Sequence, residues 1–387
     1  MSEQINKYTE IKRDGNARVG KYLTKHGEFN TPNFMPVGTK ATVKGVDAER
    51  LKEIGTEITL VNTYHLWLRP GEKLVKELGG IHKFCAWKGP ILSDSGGFQV
   101  FSLKSIRSIS EAGVKFRSHI DGAECFLSPE KSIEIQEDLG VDIAMVFDEC
   151  PSGTLPFSDV EKSLAMTNRW AKRSLEARKN SDTALFAITQ GGVFPELRKR
   201  AAEELSQMDF DGMAIGGLSV GEGTEQMHGV LSYHVQQLPS AKIRYLMGVG
   251  TPFDIVQAVK EGVDLFDCVM PTRSGRFGRA FISGEEAYLN IRNAKFQLDQ
   301  EPLDSTCTCL ACRNYSRAYI HHLFRADEML GPQLISIHNL RHYLSLMEQI
   351  RSTIMQGTFE ALYARISGVW KSINAKVDPV EPSAVEG

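Results

Sequence analysis

The chain has 387 residues, 42% of them hydrophobic and 24% charged, with a net charge of −3; this is the balance of a globular protein with a sizeable core, long enough for one large domain with an appendage or for two ordinary ones. No apolar run approaches the length of a membrane span, and no targeting segment is legible. The charge excludes a protein that coats nucleic acid through bulk electrostatics, while leaving room for a local basic patch that serves one defined RNA.

Eight short apolar runs recur along the chain, each ending in glycine or polar residues and most followed by a helix-like stretch. They are Asn33 to Val37, Glu57 to Val61, Pro90 to Ser93, Ile143 to Phe147, Ala184 to Thr189, Gly212 to Ile215, Arg244 to Met247 and Asp264 to Val269. Amphipathic segments such as Ser128 to Leu139 and Leu197 to Met208 lie between them, and Ser128-Pro129 reads as an N-cap with proline at the first helical position. Eight βα units predict an α/β fold of the (β/α)8 TIM-barrel type. A doubly wound open sheet is the competing fold, but it brings one switch-point site rather than chemistry at nearly every strand end.

In such a barrel the chemistry collects where the strands end. Those ends read, in order, Asn62-Thr63-Tyr64-His65, Asp94-Ser95-Gly96-Gly97-Phe98-Gln99, Asp148-Glu149-Cys150, Gln190-Gly191-Gly192, Gly216-Gly217-Leu218, Met247-Gly248 and Asp267-Cys268. Two carboxylates at converging ends, Asp94 and Asp267, are the pair that can divide a glycosidic substitution: one attacks the anomeric carbon, the other shuttles the proton. For an isolated Asp-Ser-Gly-Gly a helix-capping role would be the simpler reading; here several such ends coincide. Asp148 and Gln190 offer an acceptor and an amide suited to the edge of a purine, Gly216 and Gly217 allow close backbone approach, and Phe98 and Met247 are candidates to pack on the base faces.

After the eighth run come the turn-rich Arg273 to Gly278, a hairpin expected over Arg279 to Ile291, and the cluster Cys307-Thr308-Cys309-Leu310-Ala311-Cys312. Seven cysteines, an odd number, in a chain with no legible signal peptide point to a reducing cytoplasm, where such a cluster binds metal rather than forming bridges. A closed structural zinc site needs one further ligand, and His321, His322, His338 and His342 are all within reach; spacing alone does not choose. Helices are expected over Ser316 to Leu330 and Ile337 to Gln356. The domain expectation is a catalytic barrel over 1–285, a zinc-binding subdomain over 286–345, a helical segment completing the barrel over 346–375, and a disordered tail over 376–387.

These motifs resemble those of bacterial tRNA-guanine transglycosylases (queuine tRNA-ribosyltransferases) from about Tyr8 to about Ala375. The resemblance is carried by Val61-Asn62-Thr63-Tyr64-His65-Leu66, Asp94-Ser95-Gly96-Gly97-Phe98-Gln99-Val100-Phe101-Ser102, Phe147-Asp148-Glu149-Cys150, and Gly216-Gly217-Leu218 with Val220-Gly221-Glu222. Arg244 to Gly250, Phe266 to Arg273 and the cysteine cluster complete it. It implies exchange of the wobble guanine of GUN-anticodon tRNAs for 7-aminomethyl-7-deazaguanine (preQ1), without a redox or nucleotide cofactor.

By the same resemblance Asp267 is the nucleophile and Asp94 the acid/base. Asp148, Gln190 and Gly217 read the base edge, the Leu218 carbonyl and Glu222 take the aminomethyl cation, Asn62 orients Asp94, and Phe98 and Met247 sandwich the base. Arg273 and Arg276 contact the tRNA, and Cys307, Cys309, Cys312 and His338 hold one structural Zn2+. A homodimer is implied, with Tyr319 and His322 at its interface. Two departures stand out: Gly191-Gly192 where many relatives have Gly-Ser, and a divergent loop from Pro151 to Ser158. Val220 stands where queuine-using relatives carry glycine, which favours the small precursor base over queuine. The alternatives are a non-catalytic partner subunit or an exchanger acting on another nucleic acid.

Overall fold

The computed structural model describes residues 5–102, 107–284 and 286–374; the tail expected over 376–387 lies outside them. Its centre is a parallel ring of strands in the order Asn33–Met35, Leu265–Asp267, Ile243–Leu246, Gly212–Ile215, Ala184–Thr189, Ile143–Met145, Ile91–Ser93, Thr59–Val61 and Val37–Gly38. The first and last of these are two pieces of one segment interrupted at Pro36. Asn33–Met35 pairs with Leu265–Asp267 and Val37–Gly38 with Thr59–Val61, so this single segment closes the ring. Proline has no N–H to give a ladder, which explains the break; its carbonyl still accepts from Leu60 N at 3.1 Å. All eight expected runs are therefore barrel strands, and the α/β barrel expected from the sequence is the fold.

The strands read as continuous apolar runs because both of their faces are covered: every residue of Ala184–Thr189, Gly212–Ile215 and Ile243–Leu246 is buried. The connecting helices begin where the sequence signals them. Ser128 caps Pro129–Leu139 by accepting from Lys131 N at 3.2 Å, and Gly140 ends that helix in the left-handed region. Thr251 and Asp254 form a reciprocal capping box on Pro252–Glu261.

Two antiparallel sheets were not signalled. One, built from Lys7–Asp14, Ala17–Thr24 and Gly27–Thr31, covers the amino ends of the strands through a buried ion pair of Arg18 with Asp264. The other, Arg107–Ser110, Gly113–Arg117 and Glu124–Leu127, is inserted before Pro129–Leu139.

After the last barrel strand, the stretch read as turns from Arg273 is instead the end of a helix, Met270–Arg276, started by Pro271 near its first turn. The expected hairpin is present as Arg279–Phe281 paired with Tyr288–Asn290. Helices Arg317–Arg325 and Leu330–Gln356 follow, the second running unbroken across positions 345 and 346. Asn339 on that long helix accepts from Phe281 N at 2.9 Å and donates to the carbonyls of Pro271 and Arg279, both at 2.9 Å. Tyr343 donates to Gly250 O at 2.6 Å. The C-terminal appendage is thus bolted to the loop and helix that flank the barrel mouth.

Candidate active site

Asp94 follows the strand Ile91–Ser93 and is held by four donors. Its Oδ1 accepts from Thr63 N at 2.8 Å and Gly96 N at 3.2 Å; its Oδ2 accepts from Gln99 Nε2 at 2.9 Å and from the Asn62 amide. Burial dominates these ionising contacts and raises the carboxyl to about 6. A proton acceptor and donor poised there suits acid/base work near neutrality.

Asp148, at the end of Ile143–Met145, is buried and accepts from Gln190 Nε2 at 2.8 Å and Ser95 Oγ at 3.3 Å. Burial and the neighbouring charge of Asp94 overcome both bonds and raise it to about 6 as well. The amide oxygen of Gln190 is buried without a hydrogen-bond partner, a group whose desolvation is uncompensated unless something donates to it. Gly217 lies against it: a Cβ there would sit 2.1 Å from that oxygen, and its φ of +64° is left-handed, so only glycine fits.

Asp267 ends the strand Leu265–Asp267. One oxygen accepts from Tyr245 Oη at 2.6 Å and from Gly248 N at 2.8 Å; the other has no hydrogen bond among the described residues. Burial raises its pKa against both donors. The Tyr245 hydroxyl is pushed well above its ordinary value by burial and by the charges of Asp267 and Asp94 together. That shared influence, with the effect of Asp94 on Asp148, ties the three carboxylates electrostatically at one end of the barrel. Asp267 thus has one oxygen anchored and the other without a donor among the described residues, whereas both oxygens of Asp94 accept hydrogen bonds.

The remaining expected residues lie in the segments that follow the barrel strands. Phe98 is 53% exposed and Met247 partly buried against the core. Leu218 is buried, and Glu222 accepts from Val220 N at 2.9 Å and from Ser219 N. Because the peptide is trans, the Leu218 carbonyl points opposite to the Ser219 N–H that Glu222 holds. The divergent loop joins here: Gly153 N donates to Val220 O at 3.2 Å, and a Cβ on Gly153 would lie 2.9 Å from the Glu222 carboxylate. Arg273 is exposed and Arg276 half-buried on Met270–Arg276, the helix that starts three residues after Asp267; burial and then Arg273 lower the Arg276 pKa.

Cys307, Cys309, Cys312 and His338 come together with ligand atoms within 4.8 Å of one another, an arrangement able to hold a metal ion. His338 Nε2 lies 2.6 Å from the Phe281 carbonyl, to which it donates, which turns the Nδ1 lone pair toward Cys312 Sγ at 3.2 Å and Cys309 Sγ at 3.8 Å. Hydrogen bonds from Cys307 and Cys312 hold the Cys309 thiol below its ordinary value. The other histidines are occupied elsewhere: His321 Nδ1 lies 2.7 Å from Ile291 O, His322 neighbours Tyr319, and His342 stacks on Phe281. Three sulfurs and one nitrogen make a closed donor set suited to a structural zinc.

Tyr245, Gln99, Thr63 and Ser95 are parts of the site that the sequence reading did not assign. Gln99 had a signal, lying in the same strand-end motif five residues beyond Asp94; Tyr245 is found only through strand register, since Tyr245 pairs with Leu265, two residues below Asp267.

A family model described as queuine tRNA-ribosyltransferase matches residues 14–372. Curated relatives named queuine tRNA-ribosyltransferase from Streptococcus pneumoniae, strains Hungary19A-6 and CGSP14, are each 52% identical over 358 residues, covering 92% of this chain and 94% of the relative. With the barrel and the cysteine cluster matching the motifs, the chain belongs to the queuine tRNA-ribosyltransferase family.

Proposed function

We propose that this protein is a tRNA-guanine transglycosylase that replaces guanine at wobble position 34 of GUN-anticodon tRNAs (Asp, Asn, His, Tyr) by preQ1 through a covalent aspartyl-ribosyl intermediate. The observation that carries the reading is the contrast between Asp267, with one free oxygen, and Asp94, fully hydrogen-bonded and raised to about 6, at the same mouth. Asp267 attacks C1′ of the wobble nucleotide, and the C1′–N9 bond breaks as guanine departs with a proton supplied through Asp94. The incoming base then gives a proton to Asp94 and displaces the carboxylate, so configuration at C1′ is retained.

Asp148 and the Gln190 amide read the base edge, with Gly217 contributing its N–H. The Gln190 amide donates one N–H to Asp148 and has a second to offer a base carbonyl. Glu222 receives the aminomethyl cation, joined by Leu218 O once the Leu218–Ser219 peptide turns over and releases the Ser219 N–H from Glu222; Phe98 and Met247 close on the two faces, and Asn62 steadies Asp94. Removing guanine from its stack costs a few kcal/mol, offset by that sandwich and edge bonding. Arg273 and Arg276 position anticodon-loop phosphates. We read the Cys307, Cys309, Cys312 and His338 site as holding one zinc that fixes the appendage, the assembly as a homodimer and the compartment as the cytoplasm. Among the described residues no helix is long and apolar enough to cross a membrane.

The test is incorporation of radiolabelled guanine into unmodified tRNA, followed by its displacement with preQ1. Label should enter GUN-anticodon tRNAs and no other tRNA or DNA, and preQ1 should chase it. No incorporation by the folded, zinc-loaded protein would favour a non-catalytic subunit; incorporation into DNA would reassign the substrate. Metal analysis should find one zinc per chain in the parent and none in Cys309→Ser.

A further inference from the structure

Arg198 is fully buried on the helix Pro195–Ser206, and among the described residues no carboxylate pairs with it. A buried cation without a counter-ion is costly, so the groups that hold it must do so closely. All four of its acceptors are main-chain carbonyls: Gly192 O from Nε at 2.7 Å, Thr189 O and Gly216 O from Nη1 at 3.0 and 2.9 Å, and Gly217 O from Nη2 at 3.3 Å. Thr189 ends one barrel strand and Gly216 follows the next, and these strands pair in register through Thr189 and Ile215. Gly192 and Gly217 lie in the two loops beyond. One guanidinium therefore spans both strand ends that carry Gln190 and Gly217.

The peptide geometry gives this span a direction. With the Gly216 carbonyl turned to Arg198, the Gly217 N–H on the opposite side of that trans peptide faces away from the guanidinium, and the Cys150 sulfur lies on that side. The same helix presses on the first loop, where a Cβ on Gly191 would meet Arg198 N at 2.9 Å. The contact between Gly217 and the Gln190 oxygen, too close for any side chain, exists only while both loops keep this spacing.

We propose that Arg198 is the positioning residue of the base subsite: it touches no substrate, but sets the separation of the Gln190 and Gly217 loops and aims the Gly217 N–H at the purine edge. The proposal rests on the transglycosylase reading of the site. Lysine at 198 keeps the charge but cannot reach four carbonyls in two directions, so the charge and the geometry separate. In the guanine exchange assay Arg198→Lys should raise the KM for guanine at least tenfold, leave the KM for tRNA unchanged, and keep kcat within threefold. In Arg198→Ala, methylguanidine should restore kcat/KM for guanine at least fivefold, while sodium chloride at equal ionic strength should not.

Amide hydrogen exchange of residues 216–218 supplies a readout independent of activity; protection there should fall in Arg198→Lys while the rest of the barrel keeps its protection. Parental KM for guanine with undisturbed protection in Arg198→Lys would overturn the proposal. If the parent protein itself shows no exchange, the transglycosylase reading fails, and undisturbed protection at 216–218 in the lysine variant would still count against the positioning role by itself. A uniform loss of protection across the barrel, with no effect specific to guanine, would reduce Arg198 to a general fold contact and overturn the proposal equally.

Discussion

Aspartates sit at both ends of the barrel strands, and the two ends treat them differently. At the amino ends, Asp264 meets the buried Arg18, whose Nε and Nη2 lie 2.9 and 2.5 Å from its oxygens, and Asp142 takes His26 Nδ1 at 2.8 Å and His82 Nε2 at 2.9 Å. Burial pushes both up: at Asp142, His82, the Ile91 N–H and His26 outweigh it and the carboxyl ends below its ordinary value, whereas Asp264 stays raised despite Arg18, so what separates this end is its cationic partners rather than a uniform shift. At the carboxyl ends, Asp94, Asp148 and Asp267 receive only neutral donors, and burial leaves all three raised. Charge at the first end is neutralised for the sake of the fold; at the second it is left available for chemistry, the division of labour expected of the two faces of such a barrel.

Removing the free carboxylate should have the largest effect. Asp267→Asn should lower guanine exchange by roughly a thousandfold or more while leaving the melting temperature near or above that of the parent. A variant with more than a tenth of the parental rate would erase the distinction between the two ends.

The amino end should break in the opposite sense. Arg18→Met strands a buried anion and should cost about 3–5 kcal/mol of stability in denaturant unfolding, whereas Arg18→Met with Asp264→Asn should recover much of that loss. A single variant that unfolds like the parent would show the ion pair to be idle.

A smaller effect sharpens the comparison through pH. Asp148 is raised from its unfolded value to about 6, so its burial favours the folded state below pH 4, and that contribution is lost as pH rises through 6. Asp148→Asn should therefore be more stable than the parent by about 3 kcal/mol at pH 8 and indistinguishable from it near pH 4, with a raised KM for guanine throughout. A stability gap that does not change with pH would mean that Asp148 is not buried as a charge. The smallest effect is local: Gly153→Ala should crowd the Glu222 carboxylate and weaken discrimination of preQ1 over guanine by a few fold.

The barrel was legible in the sequence because strands buried on both faces form unbroken apolar runs, and the glycine and polar clusters that punctuate them mark the mouth. The two antiparallel sheets were not: Lys7–Asp14 is exposed at most positions and so offers no hydrophobic contrast. The helix Met270–Arg276 looked like turns because Gly275 lies in it, a residue required there because a Cβ would press on the Ser336 backbone at 2.9 Å.

In the site, the carboxylates were legible from their positions at strand ends and the metal ligands from the cysteine spacing, although His338 over its neighbours came from the resemblance. Arg198 was hidden. In Pro195-Glu196-Leu197-Arg198-Lys199-Arg200 it reads as one cation of a solvated helix face, and only the carbonyls brought to it by two distant strands make it an interior group.

The central claim, that Asp267 rather than any other carboxylate bonds to the ribose, is tested most directly by trapping. Protein incubated with end-labelled GUN-anticodon tRNA and then run on a denaturing gel should give a slow, labelled protein–tRNA band for the parent and none for Asp267→Asn, with the label mapping to the peptide that contains Asp267. A band of parental intensity from Asp267→Asn would contradict the account.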